Sequence, residues 1–291
     1  MKKSDFTISL SRRLVLFICL FIVGYVLTSF LAYLLGRVLS GNLPAVLRIS
    51  ALAQDVIAFI IPAVIAAVFS TRRPAELLCL MSKPKVSVLL FVFICAFVSV
   101  PAQEAVIYWN YNIELPESMS AFAETMRNLE QQATNTMMMI LDNPSVASLI
   151  LNILIIGIAA AVAEELFFRG CFQRFLTTAG VSPHVAIWLV AICFSAMHLQ
   201  FYGFVPRMLL GAYFGYLLLW TGSIYVPVTA HMLNNILYVV ASWIQVRNGA
   251  SDTITAAPQM WSTTATAASA LLTAAVLFFI YRLSRRSKQT Y

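Results

Sequence analysis

Hydrophobic positions in this chain come in long unbroken runs rather than in the short periods of a soluble fold. Runs with few or no charges fall at about 14–36, 49–69, 86–103, 145–163, 185–197, 208–222, 224–246 and 261–281. A membrane-spanning helix needs about 20 apolar residues, within a range of roughly 17–25. Backbone groups in lipid must be bonded within their own segment, so apolar runs of this length predict helices. The pattern predicts an all-α, polytopic membrane protein of about eight transmembrane helices, or seven if 185–197 is re-entrant, the later ones forming a conical or bundled core. No internal repeat or linker divides the chain, which reads as a single membrane domain over 1–291. Within it, 1–144 holds the N-terminal spans and an outer segment, 145–245 the core, and 246–291 the last span and a basic tail.

The outer segment, 101–144, is acidic and carries Met119, Phe122, Met126 and Leu129 at spacings of three and four, the stripe of an amphipathic helix. Its first reading is a helix lying on the membrane surface; its second is a lid over a site. A short polar loop is expected at 248–260.

Composition sharpens this picture. Only 11% of the residues are charged and 60% are hydrophobic, with a mean hydropathy of +0.84, against about 25% charged in a soluble chain. The net charge of +7 has no compact basic domain to carry it, which excludes a nucleic-acid partner. Of the 19 Lys and Arg residues, only Arg37, Arg48, Arg127, Arg207 and Arg247 fall on one set of loops. The bias places the other set, with both termini, on the inner, cytoplasmic side of a cell membrane. The first run follows Lys2, Lys3, Arg12 and Arg13 but is too long for a signal peptide and lacks a cleavage site, so it reads as a retained helix. Cys19, Cys79, Cys95, Cys171 and Cys193 form neither a C-x-x-C pair nor a disulfide framework.

The chemistry lies in the second half. The stretch "AVAEELFFRG" sets Glu164, Glu165 and Arg169 at the end of an apolar run, where each charge costs roughly 2.5–3.5 kcal/mol on insertion scales. Glu165 and Arg169 are one helical turn apart and can pair. Glu164 sits about 100° around the helix and points elsewhere. In "FSAMHLQ", Phe194 and His198 share a helical face; in "HMLNN", His231 and Asn235 do, with Asn234 a less favourable neighbour. If the helices flanking "AGVSP" run antiparallel, Glu164 and His198 lie equally far from Val181 along the chain and reach the same depth. Gly211 and Gly215 have the small-xxx-small spacing that lets helices approach closely. A carboxylate and a histidine can activate water while imidazole and amide groups stabilise an oxyanion, the equipment of a peptidase.

These three motifs, E-E-x-x-x-R, F-x-x-x-H and H-x-x-x-N, resemble in order and spacing those of the CPBP intramembrane proteases, the group of type II CAAX prenyl endopeptidases and bacteriocin-processing or immunity proteins. The resemblance implies a glutamate-type intramembrane endopeptidase. Carried over residue by residue, Glu164 and His198 would activate water, and His231 and Asn235 would stabilise the oxyanion. Glu165, Arg169 and Phe194 would support the site. The implied partners are a peptide or protein substrate at the membrane and the bilayer itself. No cofactor is expected. Zinc is the alternative that two Glu and two His leave open, without an H-E-x-x-H to favour it. A serine mechanism lacks G-x-S-x-G, and Ser195 has no obvious third partner. His184, at a helix start after Pro183, reads as solvated. Asp55, alone in the second span, and Glu104 feed a rival reading, a proton-coupled transporter or channel with Asp55, Glu164 and the histidines as a relay; a third is a non-catalytic immunity or scaffold protein that retains the motifs.

Overall fold

The computed structural model describes residues 5–249 and 261–288, with side chains of the last helix described to Ser284. Most of the expected loop at 248–260 and Lys2, Lys3 and the tail side chains lie outside the described residues. The regular structure is helical; the one β contact among the described residues is an isolated bridge between Phe6 and Thr71. The elements are α1 (Leu10–Val38), α2 (Leu43–Ser70), α3 (Val86–Val98), α4 (Val100–Tyr111), α5 (Ser120–Leu141), α6 (Val146–Thr178), α7 (Pro183–Ala196), α8 (Phe204–Thr221), α9 (Tyr225–Arg247) and α10 (Thr263–Lys288).

All eight apolar runs are helical, but the count of eight spans does not carry through. Among the described residues, five helices are long and apolar enough to cross a membrane, or six if α3 and α4, bent by 49° at their break, form one span. The bend has a local cause: Pro101 enters α4 in its first turn and cannot donate to the ladder. At 14 residues α7 is about 21 Å long, short of a hydrocarbon core of about 30 Å. Although α9 has 23 residues, it carries Thr229, His231, Asn234 and Asn235 and is not among the five. Polar site residues keep it out of the apolar set. The chain is nonetheless an integral, multi-pass membrane protein.

Among the described residues three stretches widen into π-helix: Asp55–Ile60 in α2, and Ile153–Ala159 and Leu166–Gln173 in α6. Such bulges re-aim side chains and often mark functional sites. Glu164 and Glu165 lie on the short α-helical piece between the last two.

Small residues let the helices close around this piece. Ala58, Ala63, Ala66 and Ala67 of α2 are wholly buried beside Phe17, Phe59, Phe167, Phe168 and Phe194. Phe59 meets Phe167 and Phe168 meets Phe194 edge to face, at 5.1 and 5.2 Å between centroids. The α6–α7 turn passes through Gly180 at φ +100°, a conformation that favours glycine. The Gly211/Gly215 face of α8 packs on α7: a Cβ at Gly215 would sit 2.9 Å from Ile187 Cγ2. That same face exposes two carbonyls to α6, and they accept from Arg169 and Gln173.

The amphipathic helix expected within 101–144 forms as α5. Met126 and Leu129 are half-buried, whereas Met119 and Phe122 stay exposed. The helix packs on α2, α6, α9 and the turn before α8, so part of its apolar stripe meets protein.

Candidate active site

Glu165 is the hub of the cluster. Its Oε1 accepts from Arg169 Nη1 at 2.7 Å and from His231 Nδ1 at 2.9 Å, and Glu165 and Arg169 are completely buried. Arg169 also donates to Gly211 O at 2.9 Å. Its guanidinium lies over Phe194 at 4.6 Å and near Phe214 at 5.3 Å. A buried ion pair persists when its remaining hydrogen bonds are met, and here a glycine carbonyl meets one of them because no side chain separates the helices.

The glutamate next to it behaves differently. The Glu164 side chain is 18% exposed, and its Oε2 lies 3.9 Å from His231 Nε2, beyond a direct hydrogen bond. Its turn of α6 faces a different way from that of Glu165, as the 100° offset requires.

Both histidines have one ring nitrogen committed. His231 stacks on Phe214 with centroids 4.8 Å apart and planes at 20°, and Phe194 closes its edge at 6.0 Å. With Nδ1 bonded to Glu165, its Nε2 faces Glu164. His198 Nδ1 lies 2.9 Å from Phe194 O. A carbonyl can only accept, so this nitrogen carries the proton and Nε2 keeps its lone pair. His198 sits on the α7–α8 connection with its side chain at the surface, and the protein packed around it lowers its imidazole from the ordinary histidine value. Glu164 opposes that shift, while Arg207 and His231 add to it, so all three lie within electrostatic range.

Asn235 donates from Nδ2 to Ile156 O at 3.1 Å, a carbonyl in the π-helical stretch of α6. Asn234 Nδ2 reaches Asn235 Oδ1 at 3.5 Å. One amide hydrogen of Asn235 is therefore committed to the backbone. From the first half of the chain, buried Asp55 comes within electrostatic range of Glu164.

Glu164, Glu165, Arg169, Phe194, His198 and His231 thus converge from three segments of the chain, with Asn235 one turn along α9 from His231. Sequence reasoning missed the Glu165–His231 contact, whose residues stand 66 positions apart; no local spacing encodes it. It also passed over Gln200 and Arg207, which share a 2.9 Å hydrogen bond beside His198. A cation at the start of an apolar helix was the available signal. His184 is exposed as expected but holds Tyr216 OH at 3.0 Å, and Ser195 Oγ donates to Phe204 O at 2.6 Å. Among the described residues no three His, Cys, Asp or Glu side chains are grouped to hold a metal ion.

The part of the chain that builds this cluster has relatives. Residues 146–237 match the type II CAAX prenyl endopeptidase Rce1-like family. The resemblance to CPBP proteases read from three motifs is thereby shown over nearly the same stretch. Over 86 residues the chain is also 28% identical to the uncharacterized protein YpbD of Bacillus subtilis (strain 168), covering 28% of this chain and 41% of that protein. The chain therefore spans less than half the length of the curated relative it matches. No solved structure matches it. The Rce1-like region begins with α6 and ends within α9, so it contains every residue of the cluster except Asp55.

Proposed function

We propose that this protein is an intramembrane endopeptidase of the CPBP type, in which Glu164 and His198 activate water against a peptide bond. The observation that carries the reading is the state of His198: its Nδ1 is tied to the Phe194 carbonyl, which leaves Nε2 as a base in range of Glu164. Glu164 takes a proton from water as the hydroxide oxygen attacks the scissile carbonyl, and that proton passes to the leaving amine. His231, anchored through Nδ1 to Glu165, donates from Nε2 to the oxyanion when protonated, and Asn235 offers its second amide hydrogen. Glu165, Arg169 and Phe194 act by holding His231 in place. Each of these roles uses only groups of the protein, and the reading requires no metal.

The family match supports a peptide substrate. A peptide or protein at the membrane, a C-a-a-X-like tail or a bacteriocin-related precursor among the candidates, would reach the site from the inner face of a cell membrane, with both termini cytoplasmic. The test compares membrane proteomes of cells carrying wild type or Glu164→Gln, followed by cleavage of the accumulated precursor by purified protein. Loss of roughly 10²–10⁴ in rate in Glu164→Gln and His198→Ala, with normal insertion, is expected. Full activity in either variant would sink the mechanism.

Asp55 beside Glu164 supports one rival, a proton-coupled transporter using the two carboxyls as a relay. Proteoliposomes with an imposed pH gradient separate the two. Proton flux that depends on Asp55 and Glu164, without peptide cleavage, would favour transport.

A further inference from the structure

The connection that carries His198 is strained and held from outside the motifs. Leu199, the next residue, has φ +54° and is 66% exposed. A branched side chain rarely adopts this left-handed conformation, and such strain persists where the surroundings over-determine it. Three sets of contacts do so. Ser195 Oγ donates to Phe204 O at 2.6 Å, closing the connection on itself. Asn110 of α4 accepts from Val205 N at 2.7 Å and donates to Phe201 O at 3.2 Å. Gln200, beside the strained residue, donates to Glu130 Oε1 of α5 and accepts from Arg207 Nη2, each at 2.9 Å.

The Glu130–Gln200–Arg207 chain is anchored at one end and aimed at the site at the other. Helix α5 is fixed at its C-terminal end: Arg48 of α2 donates to Ile140 O at 2.6 Å, and to Ser148 and Asn152 of α6 at 2.7 and 2.9 Å. Phe122 and Arg127 of α5 lie against Phe201 and Tyr202 in the same connection. Arg207, at the other end, is within electrostatic range of both Glu164 and His198, and its Nη1 is buried without a partner among the described residues. Its guanidinium occupies the space a Gly203 side chain would fill.

We propose that Gln200 and Arg207 are positioning residues for His198, braced by Glu130, so that the outer amphipathic helix is a fixed wall of the site. Arg207 also sets the charge that His198 feels: of the charged groups facing this imidazole, Glu164 favours its protonation, and Arg207 and His231 oppose it. The inference rests on the proposed function only in treating His198 as a base.

The test is a histidine NMR titration of the full chain in lipid nanodiscs, feasible because the protein has three histidines. Arg207→Gln should raise the His198 midpoint, and Arg207→Lys should restore most of the wild-type value. Gln200→Ala, which leaves both charges in place, should alter the His198 resonance by releasing the turn. In cleavage assays Gln200→Ala should lower kcat roughly 10–100-fold with KM little changed, as displacement of a reacting group by about 1 Å does. A His198 midpoint unmoved in Arg207→Gln, or a His198 resonance unchanged in Gln200→Ala, would overturn the proposal. A protein that cleaves nothing but shows the stated titration shifts would overturn the peptidase reading and leave the positioning device standing.

Discussion

His231 and Glu165 meet at 2.9 Å through Nδ1 and Oε1, and the same carboxylate oxygen accepts from Arg169. One buried carboxylate therefore links a structural ion pair to a ring that faces Glu164. The second and third motifs of the sequence are tied to the first by this oxygen and by Phe194, which packs against Arg169, His198 and His231.

Removing the cation should cost stability first. Arg169→Ala leaves Glu165 buried beside an open Gly211 carbonyl, and breaking such a pair costs about 3–5 kcal/mol. Arg169→Lys should recover little, because one ammonium cannot reproduce the fork that serves Glu165 and Gly211 together. Thermal unfolding in detergent measures this. An Arg169→Ala protein with a wild-type Tm and no activity would move this arginine into the chemistry.

Glu165→Gln keeps the shape and removes the charge. His231 then loses its anionic partner, so kcat should fall while substrate binding holds, the pattern of an interaction made mainly in the transition state. Steady-state kinetics on a cleaved precursor reads the split. A rise in KM with unchanged kcat would place Glu165 in substrate binding instead.

The elements of this fold were legible where composition decides them. Apolar runs gave helices, and the four-residue spacings of Glu165/Arg169 and Phe194/His198 gave shared faces. The number of spans was not legible, because α7 is too short and α9 too polar to be judged by run length. The π-helical stretches were invisible as well, since a widened turn has no residue signature. The Glu165–His231 contact and the Glu130–Gln200 contact join distant segments and depend on how helices pack, which periodicity does not report. The Gly211/Gly215 spacing pointed to close packing, yet gave no hint that its carbonyls would receive Arg169 and Gln173.

That glycine face carries its own prediction. A methyl group at Gly215 would lie 2.9 Å from Ile187 Cγ2 and 3.0 Å from Gln173 Oε1, so Gly215→Ala should cost about 1–3 kcal/mol by overpacking. Gly36→Ala, whose added methyl meets nothing within 4 Å, should be neutral or slightly stabilising because alanine favours a helix. Paired Tm measurements test the contrast; equal shifts in the two variants would mean that α7 and α8 do not pack this closely.

Metal dependence follows from the water-activation scheme. With Glu164 and His198 as the base, activity should survive exhaustive chelation and dialysis, and elemental analysis should find less than stoichiometric zinc. Chelator-sensitive activity restored by zinc would replace this mechanism with metal-assisted hydrolysis.

The pH dependence of His198 has a defined sign. Desolvation by the protein around it, the largest influence, holds the imidazole of this surface-exposed residue below the ordinary value, with Arg207 and His231 adding to the effect and Glu164 and the Phe194 carbonyl opposing it. A histidine in the unfolded chain takes up its proton near pH 6.5, whereas the folded protein resists until the pH is lower. Between those two values the unfolded state binds more protons, so stability falls as pH falls and is fully present above about 6.5. Activity should follow the folded-state value, declining as His198 Nε2 becomes protonated. His198→Gln should therefore flatten the fall in Tm on acidification below about pH 6.5, while Gln at this position keeps a hydrogen-bonding side chain on the connection. An acid limb of Tm that is identical in wild type and His198→Gln would mean that this histidine titrates as an ordinary solvated imidazole, and the acid limb of activity should then fall near pH 6.5 instead of below it.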